Sequence, residues 1–334
     1  MTVFLPARHA RHRPMHDYSD GAPPLPHPES PARVDAVLKG LRSAGGVELV
    51  EVDGFAEAQV RALHDADFVD FLLGIGAAVA PEAEYVPSMF GADLSRAPLR
   101  FRGGMYCREL GTPITSESVG AALNSAAAAI AAAGRVAEGA AAAFALCRPP
   151  GHHAGRRRYG GYCYFNNAYL AAGVLAPAGR CAVLDIDYHL GDGSMEFATP
   201  ACPYYSLHAD PWLNYPYLEA DAALDSDCGR LMTLAQGTDG DAYLALLDGA
   251  LDEVAGRGCD TLVVSTGFDT LGADTIQDTK LLITPQDFRR IGARIGSLGT
   301  RLLLVLEGGY NVAKLPECAA EFVGGIREGT RSPC

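Results

Sequence analysis

The sequence predicts an α/β protein built around a mostly parallel sheet of about eight strands flanked by helices. Short apolar runs alternate with longer helical stretches along the 334 residues, which is typical of a parallel sheet covered on both faces. No linker rich in Pro, Gly or Ser separates two cores, and no internal repeat is visible. We therefore expect residues 1–334 to form a single domain.

Eight apolar runs have the length and composition of buried strands. They are residues 3–5, 48–52, 142–147, 182–186, 204–207, 231–235, 261–266 and 302–306. Helices are expected between most of them. Pro31 should open the first helix, since proline is favoured in a first helical turn. The alanine-rich segment 116–133 predicts another, with Thr115 or Ser116 as its N-cap.

Two segments, 6–30 and 81–113, do not follow this alternation and are expected to be long loops. Loops of this length in a compact domain are usually functional or disordered. The first loop contains four histidines whose spacing matches no familiar ligand set for a second metal. They are His9, His12, His16 and His27, and we expect them to be solvent-exposed.

Charge and composition exclude several classes of function. The net charge of −13 argues against a nucleic-acid binder and suits a cationic substrate, although solubility alone also explains it. By length and composition, no run is expected to be apolar enough to cross a bilayer. The first residues do not resemble a signal peptide, so we expect a cytoplasmic protein without a membrane partner. Nine scattered cysteines without a Cys-x-x-Cys pair fit neither a disulfide framework nor a thiolate zinc cluster.

The most informative segment follows the predicted strand 182–186. Asp185, Asp187 and His189 stand at every second position, so on a strand their side chains would project in the same direction. The carboxyl ends of the strands are where open α/β sheets bind ligands. Carboxylate and imidazole groups bind divalent ions such as zinc, and a catalytic zinc site needs three protein ligands and an open position.

Three further strand ends carry reactive groups. Asp269 follows the seventh predicted strand and is the natural third metal ligand. His152 and His153 follow the third strand, where adjacent histidines could act as general base and general acid. Tyr310 follows the last strand and two glycines, which allow a sharp backbone bend. Each group alone has an ordinary structural explanation, as a turn, a cap or packing, but four such strand ends together favour one catalytic site.

These segments resemble the zinc-dependent histone deacetylases and acetylpolyamine amidohydrolases of the arginase/deacetylase superfamily, and the bacterial acetylpolyamine amidohydrolases most of all. The resemblance covers nearly the whole chain, with the motifs in the family's order. They are RPPGHHA at 148–154, GGYCYFNN at 160–167, DIDYH at 185–189, SLH at 206–208, GFD at 267–269 and EGGY at 307–310. It implies a single-domain arginase/deacetylase-like fold with the active site at the carboxyl ends of the strands.

The resemblance also implies a role for each matching residue. Asp187, His189 and Asp269 would bind one catalytic zinc ion, which polarises the amide carbonyl and activates a water. His153 would be the general acid and base with His152 beside it, and Tyr310 would hydrogen-bond the oxyanion. Asp185 would orient His152, and Asp192 would orient His153. A potassium ion would be held by Asp185, Asp187, His189, Ser206 and Leu207.

The substrate is expected to enter a narrow tunnel. By resemblance, Gly161 and Tyr162 form one wall and Tyr215 the opposite wall, although either tyrosine could instead be ordinary packing. Segment 160–167 and the insertion 81–113 are more similar to the acetylpolyamine branch, in which the insertion helps to form a homodimer and narrows the tunnel.

Several residues depart from that branch. Leu190 stands where the family normally has a second histidine, so local packing should differ. Three arginines of the insertion would repel a polyammonium chain if they faced the tunnel, with Glu109 the one carboxylate near them. They are Arg100, Arg102 and Arg108. Four acidic residues of a later loop could compensate, namely Glu219, Asp221, Asp225 and Asp227.

The sequence thus predicts a zinc-dependent amidohydrolase that removes an acetyl group from a small acetylated amine, most readily an acetylpolyamine. The main alternative is a deacetylase acting on acetyl-lysine side chains of proteins. A zinc-holding binding protein without turnover is a third possibility. His152, His153 and Tyr310 argue against it, since such a protein has no need of them.

Overall fold

A computed structural model describes residues 1–19, 23–91, 93–218 and 224–331. The strands are β1 (Thr2–Pro6), β2 (His16–Asp17), β3 (Leu25–Pro26), β4 (Glu48–Val52), β5 (Ala142–Ala145), β6 (Cys181–Asp185), β7 (Tyr204–Ala209), β8 (Gly229–Leu234), β9 (Thr261–Thr266) and β10 (Arg301–Leu306). The helices are α1 (Pro31–Ser43), α2 (Glu57–Leu63), α3 (Ala66–Ala78), α4 (Ser118–Ala137), α5 (Asn167–Leu175), α6 (Asp192–Met195), α7 (Gly240–Gly256), α8 (Pro285–Ser297) and α9 (Leu315–Arg331). Short 3₁₀ turns occupy His9–Arg11, Leu99–Phe101, Ala176–Ala178 and Ser226–Cys228.

Eight strands form one sheet in the order β4-β1-β5-β10-β9-β6-β7-β8, and every neighbouring pair in it is parallel. β2 and β3 form a separate antiparallel ribbon. The eight runs predicted from the sequence are these eight strands, so the predicted α/β class and sheet are confirmed.

The sheet is covered on both faces, which explains why its strands are apolar at nearly every position. In β10, Leu302, Leu304 and Leu306 belong to the core cluster shared with α1, α7, α8 and α9. Leu303 and Val305, which alternate with them, belong to the cluster on the other face, formed with α4 and α5. The sheet is therefore held between two packed layers.

Helix α1 begins at Pro31 as predicted, whereas the predicted cap of α4 is wrong. Helix α4 begins at Ser118, and its N-cap position is Glu117, which makes no capping bond through its side chain. The Ser118 hydroxyl instead accepts a hydrogen bond from the backbone N–H of Thr115 at 2.9 Å. This bond closes the turn in front of the helix and moves its start past Ser116.

Helix α4 is also long and apolar enough to cross a membrane, with a mean hydropathy of 1.3, so the expectation that no run would be is wrong. In the fold, 67% of that window is buried. Alanines 126, 128, 129, 132 and 133 face the sheet or the neighbouring helices. The composition of α4 is thus explained by its place inside the protein.

The two predicted loops pack closely onto the rest of the protein. Within 81–113, Tyr106 stacks on Phe71 of α3 with ring centroids 4.9 Å apart. Within 6–30, the expectation of exposed histidines is wrong for three of the four. His9, His12 and His27 are at most 9% exposed, and only the side chain of His16 is substantially accessible to solvent.

A buried ion cluster ties segment 6–30 to the loop that follows β5. Glu29 accepts hydrogen bonds from Arg33 Nη1 at 2.7 Å and from Arg148 Nε at 2.8 Å. His12 Nε2 lies 3.5 Å from the other oxygen of Glu29, and all four residues are at most 1% exposed. Burial opposes ionisation of Glu29, but the charges of Arg148 and Arg33 outweigh it and lower its pKa to about 2.

Replacing Glu29 with Ala should destabilise the protein by about 3–5 kcal/mol, because two guanidinium groups would remain buried without their carboxylate. Urea unfolding at neutral pH measures the loss. A folded-state pKa below the ordinary value of 4.5 means that this stabilisation is complete above about pH 4.5 and declines as the pH falls toward 2. The variant should lack that part of the acid dependence.

The matched control is Glu57→Ala, which breaks an exposed pair with Arg61 one turn along α2. Exposed pairs contribute little, so the control should unfold like the unmodified protein. Equal stabilities of the two variants would show that the buried cluster does not stabilise the fold.

Candidate active site

The four central strands β5, β10, β9 and β6 end at the same edge of the sheet and position the candidate site. His152 and His153 follow β5, and Tyr310 follows β10. Asp269 follows β9, and the segment containing Asp187 follows β6. The structure therefore brings together the groups that the sequence placed at four separate strand ends.

The predicted strand alternation of Asp185, Asp187 and His189 is only partly correct, because β6 ends at Asp185. Beyond it, each aspartate accepts a hydrogen bond from the backbone N–H two residues later. The distances are 3.1 Å from Asp187 N to Asp185 Oδ1 and 2.9 Å from His189 N to Asp187 Oδ1. Two consecutive Asx turns, rather than strand pleating, thus bring Asp187 and His189 to the site.

Asp187, His189 and Asp269 form a compact group suited to a cation. One potential ligand atom from each lies within 4.8 Å of the other two, and both carboxylates are fully buried. Within the described part of the chain, Asp269 Oδ2 has no hydrogen-bond partner, and His189 Nδ1 lies 3.4 Å from it. A Cβ on Gly308 would overlap both carboxylates, so glycine is required beside them.

The electrostatics of this group also fit a bound cation. Burial and the charge of Asp187 raise the pKa of Asp269 to about 6, because two carboxylates share one buried space. A divalent ion between them would remove this repulsion. Two carboxylates and an imidazole are a ligand set of catalytic zinc sites, so the residues fit the predicted metal.

His152 is almost completely buried at the inner end of the candidate site. Its Nδ1 lies 3.0 Å from Asp185 Oδ2, which also accepts a hydrogen bond from the Tyr204 hydroxyl at 2.7 Å. Burial disfavours the cation, but the charges of Asp187 and Asp185 raise the pKa of His152 well above its ordinary value. Asp185 therefore contacts the histidine that it was predicted to orient.

His153 pairs with the predicted Asp192, whose Oδ1 lies 2.8 Å from His153 Nδ1. Burial and the neighbouring His152 lower the pKa of His153 to about 3. This imidazole is consequently neutral at physiological pH. With Nδ1 engaged by the carboxylate, Nε2 remains as the nitrogen that can accept a proton in the pocket.

A pocket of about 350 Å³ opens from this group to the surface. Gly161, Tyr162 and Tyr215 all line it, as predicted. The Tyr215 ring stands edge-on to His153 at 4.7 Å, and Tyr162 stands edge-on to Tyr310 at 5.9 Å. A Cβ on Gly161 would collide with His153, so this glycine lets the wall approach the catalytic imidazole.

The outer part of the pocket is acidic. Asp17, Glu109 and Asp278 line it, and Asp17 Oδ2 accepts a hydrogen bond from the Tyr162 hydroxyl at 2.6 Å. Burial raises the pKa of Glu109, which also accepts a hydrogen bond from the backbone of Gly161 at 3.2 Å. Among the described residues, no lysine or arginine lines this pocket.

The arginines of the insertion therefore do not face the tunnel. Arg100 lies over Phe101, Arg102 Nε donates to the carbonyl of Ala97, and Arg108 lines a separate cleft. Two of the four acidic loop residues expected to compensate can be placed, and neither lines the pocket. Asp225 and Asp227 are exposed outside it, while Glu219 and Asp221 lie outside the described residues.

Tyr310 lines the pocket and lies above a buried arginine. The Arg33 guanidinium carbon is 4.6 Å from the centroid of the Tyr310 ring, and Arg33 also donates to the backbone carbonyls of Glu307 and Gly309. The Tyr310 ring is thus held in place by Arg33 of α1, which is far away in sequence. Burial raises the pKa of Tyr310 well above its ordinary value, so its hydroxyl remains a hydrogen-bond donor.

Two of the residues predicted to hold potassium, Asp187 and His189, also belong to the metal group. Asp185 and Ser206 are register partners on β6 and β7, and Leu207 follows. The Ser206 hydroxyl is 2.9 Å from His208 Nδ1, and Asp185 already accepts a backbone hydrogen bond. The potassium site remains a prediction, since it depends on backbone carbonyls as well as these side chains.

Leu190, the departure noted in the sequence, is fully buried. It packs with Val183, Tyr204 and Val263 in the apolar cluster on the α4 and α5 face of the sheet. Its backbone carbonyl accepts the N–H of Asp192 at 2.8 Å. An apolar side chain is therefore accommodated without displacing Asp192 from His153.

Sequence reasoning missed several residues that shape the site. Glu307 directly follows β10 and accepts backbone hydrogen bonds from Gly151 at 2.7 Å and His152 at 3.1 Å, which fixes the loop that carries His152 and His153. Burial raises the pKa of Glu307 to about 7. Its position at a strand end was a usable signal, like that of Asp269. Arg158 and Asp17 had no such signal, because neither lies at the end of a strand of the main sheet.

Comparison with known proteins agrees with this geometry. The family model of the histone deacetylase domain matches residues 27–326. Acetylpolyamine amidohydrolase 1 of Pseudomonas aeruginosa is 36% identical over 321 residues, covering 91% of this chain and 92% of that protein. Histone deacetylase 15 of Arabidopsis thaliana is 30% identical and covers 89% of this chain but 52% of its own length.

Solved structures that superpose on this chain come from the same two groups of deacetylases. A crystal structure of acetylpolyamine aminohydrolase from Burkholderia pseudomallei superposes with a TM-score of 0.89 at 31% identity, covering 98% of both chains. The deacetylase domain of HDA15 gives a TM-score of 0.78 at 25% identity, covering 97% of this chain and 90% of that one. The resemblance noted in the sequence is confirmed, and the chain belongs to the histone deacetylase domain family.

Proposed function

We propose that this deacetylase removes the acetyl group from a small acetylated polyamine, with one zinc ion held by Asp187, His189 and Asp269. Hydrolysis would release acetate and an amine. The acetylpolyamine amidohydrolases among the relatives, at 33–36% identity over most of both chains, support this substrate class.

The acidic outer pocket is the observation that carries the substrate assignment. Asp17, Glu109 and Asp278 line the route to the metal group, and among the described residues no lysine or arginine does. A polyamine carries ammonium groups beyond its acetamide, and these would be attracted along such a route. A neutral acyl substrate would gain nothing from it.

The chemistry follows from the residues around the pocket. A bound zinc ion would supply Lewis acidity to the amide carbonyl and acidify a water. His153, neutral and oriented by Asp192, accepts a proton at Nε2 and returns it to the leaving amine. Tyr310 donates a hydrogen bond to the developing oxyanion. His152 provides positive charge beside His153, and the tyrosine walls exclude water from the methylene chain.

A substrate panel tests the proposal. We expect kcat/KM for acetylputrescine and N8-acetylspermidine to exceed that for an acetyl-lysine peptide of neutral sequence, because only the polyamines place free ammonium groups in the acidic pocket. Asp17→Asn and Asp278→Asn should each raise KM for N8-acetylspermidine roughly threefold, the size expected for a solvent-screened ion pair.

Asp252→Asn is the matched control, since it removes one exposed carboxylate of α7 outside the pocket and should leave KM unchanged. Raising the salt concentration should reduce the difference between the panel substrates. A marked preference for the peptide would instead assign the protein to the acetyl-lysine deacetylases.

We also propose that segment 81–113 forms a homodimer contact, as the resemblance implies. Met89 and Phe90 on this segment are 51% and 53% exposed, which leaves two large apolar side chains available for a partner copy. Sedimentation equilibrium gives the assembly state, and a monomer at micromolar concentration would exclude this contact.

A further inference from the structure

The two histidine–aspartate pairs differ in what holds the aspartate. Besides His152, Asp185 accepts a hydrogen bond from the Tyr204 hydroxyl at 2.7 Å, which is an uncharged partner. Asp192 is held by a guanidinium: Arg158 Nη2 lies 2.7 Å from Asp192 Oδ2, while Asp192 Oδ1 lies 2.8 Å from His153 Nδ1. Each oxygen of Asp192 therefore has its own cationic or imidazole partner.

Arg158 is unlike the two arginines before it. The side chain of Arg158 is 16% exposed, whereas Arg157 is 42% exposed and pairs with Asp67 at the surface. Arg158 also reaches Glu196 Oε1 at 3.0 Å, so its guanidinium lies between two carboxylates. In this inward position, only the Asp192 carboxylate separates the Arg158 guanidinium from the His153 imidazole.

We propose that Arg158 is a positioning residue for the amide hydrolysis, and that its guanidinium holds Asp192 in the orientation that aligns His153. A carboxylate with one partner can rotate about its Cβ–Cγ bond, whereas the ion pair at Oδ2 and the imidazole at Oδ1 together oppose that rotation in Asp192. Fixing Asp192 fixes the tautomer and the plane of His153 and so directs Nε2 into the pocket. This inference rests on the proposed deacetylase function of the same site.

Arg158→Met should lower kcat roughly tenfold, the lower end of the range for residues that orient a catalytic group through another. KM and zinc content should be unchanged, because Arg158 touches neither the pocket nor the metal ligands. Arg158→Lys keeps one charged donor and should recover part of the loss. Arg157→Met, the matched control, removes an arginine from the same turn and should leave kcat unchanged.

Chemical rescue separates positioning from a structural role. Arg158 lines an open cleft of about 220 Å³, so truncation in Arg158→Ala leaves a path from solvent to Asp192. Millimolar guanidinium or methylguanidinium should restore several-fold of the lost kcat in Arg158→Ala and have no effect on Arg157→Ala. Restoration identifies the guanidinium–carboxylate contact as the cause.

The inference is overturned by a kcat of Arg158→Met within twofold of the unmodified protein, or by a loss that neither lysine nor guanidinium restores. Both comparisons use whichever acetylated amine the unmodified protein hydrolyses fastest. Absence of hydrolysis of every panel substrate by the zinc-loaded, unmodified protein would refute the proposed function itself. The two failures are therefore distinguishable.

Discussion

Replacing Asp269 with Asn is expected to remove both the metal and the activity. The unmodified protein should contain about one zinc per chain by elemental analysis, and the variant close to none. The reason is that the change removes one of three ligands and one of the two buried negative charges that favour a cation. Hydrolysis of acetylated amines should fall below detection.

Chelation tests the same dependence without a mutation. Removing the metal should abolish hydrolysis, and adding one equivalent of zinc should restore it. Adding iron or cobalt to the metal-free protein, and comparing the restored rates with that for zinc, would identify the divalent ion that gives the highest activity. Asp252→Asn, which changes an exposed aspartate of α7, should keep its zinc and its rate. Full activity in metal-free protein would refute the metal assignment.

His153→Ala should lower kcat by roughly 10²–10⁴-fold while zinc remains bound. His153 is the histidine whose pKa burial and His152 lower to about 3, so it is the one that can accept a proton at neutral pH. Its loss leaves the three metal ligands in place. Single-turnover rates together with elemental analysis measure the two quantities on the same sample.

His16→Ala is the appropriate control for this substitution. His16 is accessible to solvent, bonds Glu84, and does not line the pocket, so kcat should be unaffected. A nearly normal kcat in His153→Ala would mean that another group, with His152 the first candidate, transfers the proton.

The strands and the reactive groups at their ends could be predicted because both depend on local pattern. An apolar run such as 261–266 is a buried strand in almost any parallel sheet, and Asp269 just beyond it necessarily lies at the carboxyl edge. The same reasoning located His153 and Tyr310. Strand order then decides whether such groups meet, and that order is not a local property.

Residues that act through long side chains or distant loops could not be predicted. Arg158 belongs to a run of three arginines, and only the fold shows that it alone turns inward to Asp192. Asp17 reaches Tyr162 across 145 residues of sequence. The burial of His12 depends likewise on Glu29 and two arginines brought there by tertiary packing. The polar composition of the loop therefore led to the wrong expectation that His12 is exposed.

The position of β10 between β5 and β9 determines when the site can exist during synthesis. β5 and β9 are both made before β10, yet each pairs with β10 and not with the other. We therefore expect a nascent chain that ends before residue 301 to carry its histidines and its aspartates on two groups of strands that nothing yet joins. Deacetylase activity should accordingly appear only after β10 has been made and inserted between β5 and β9.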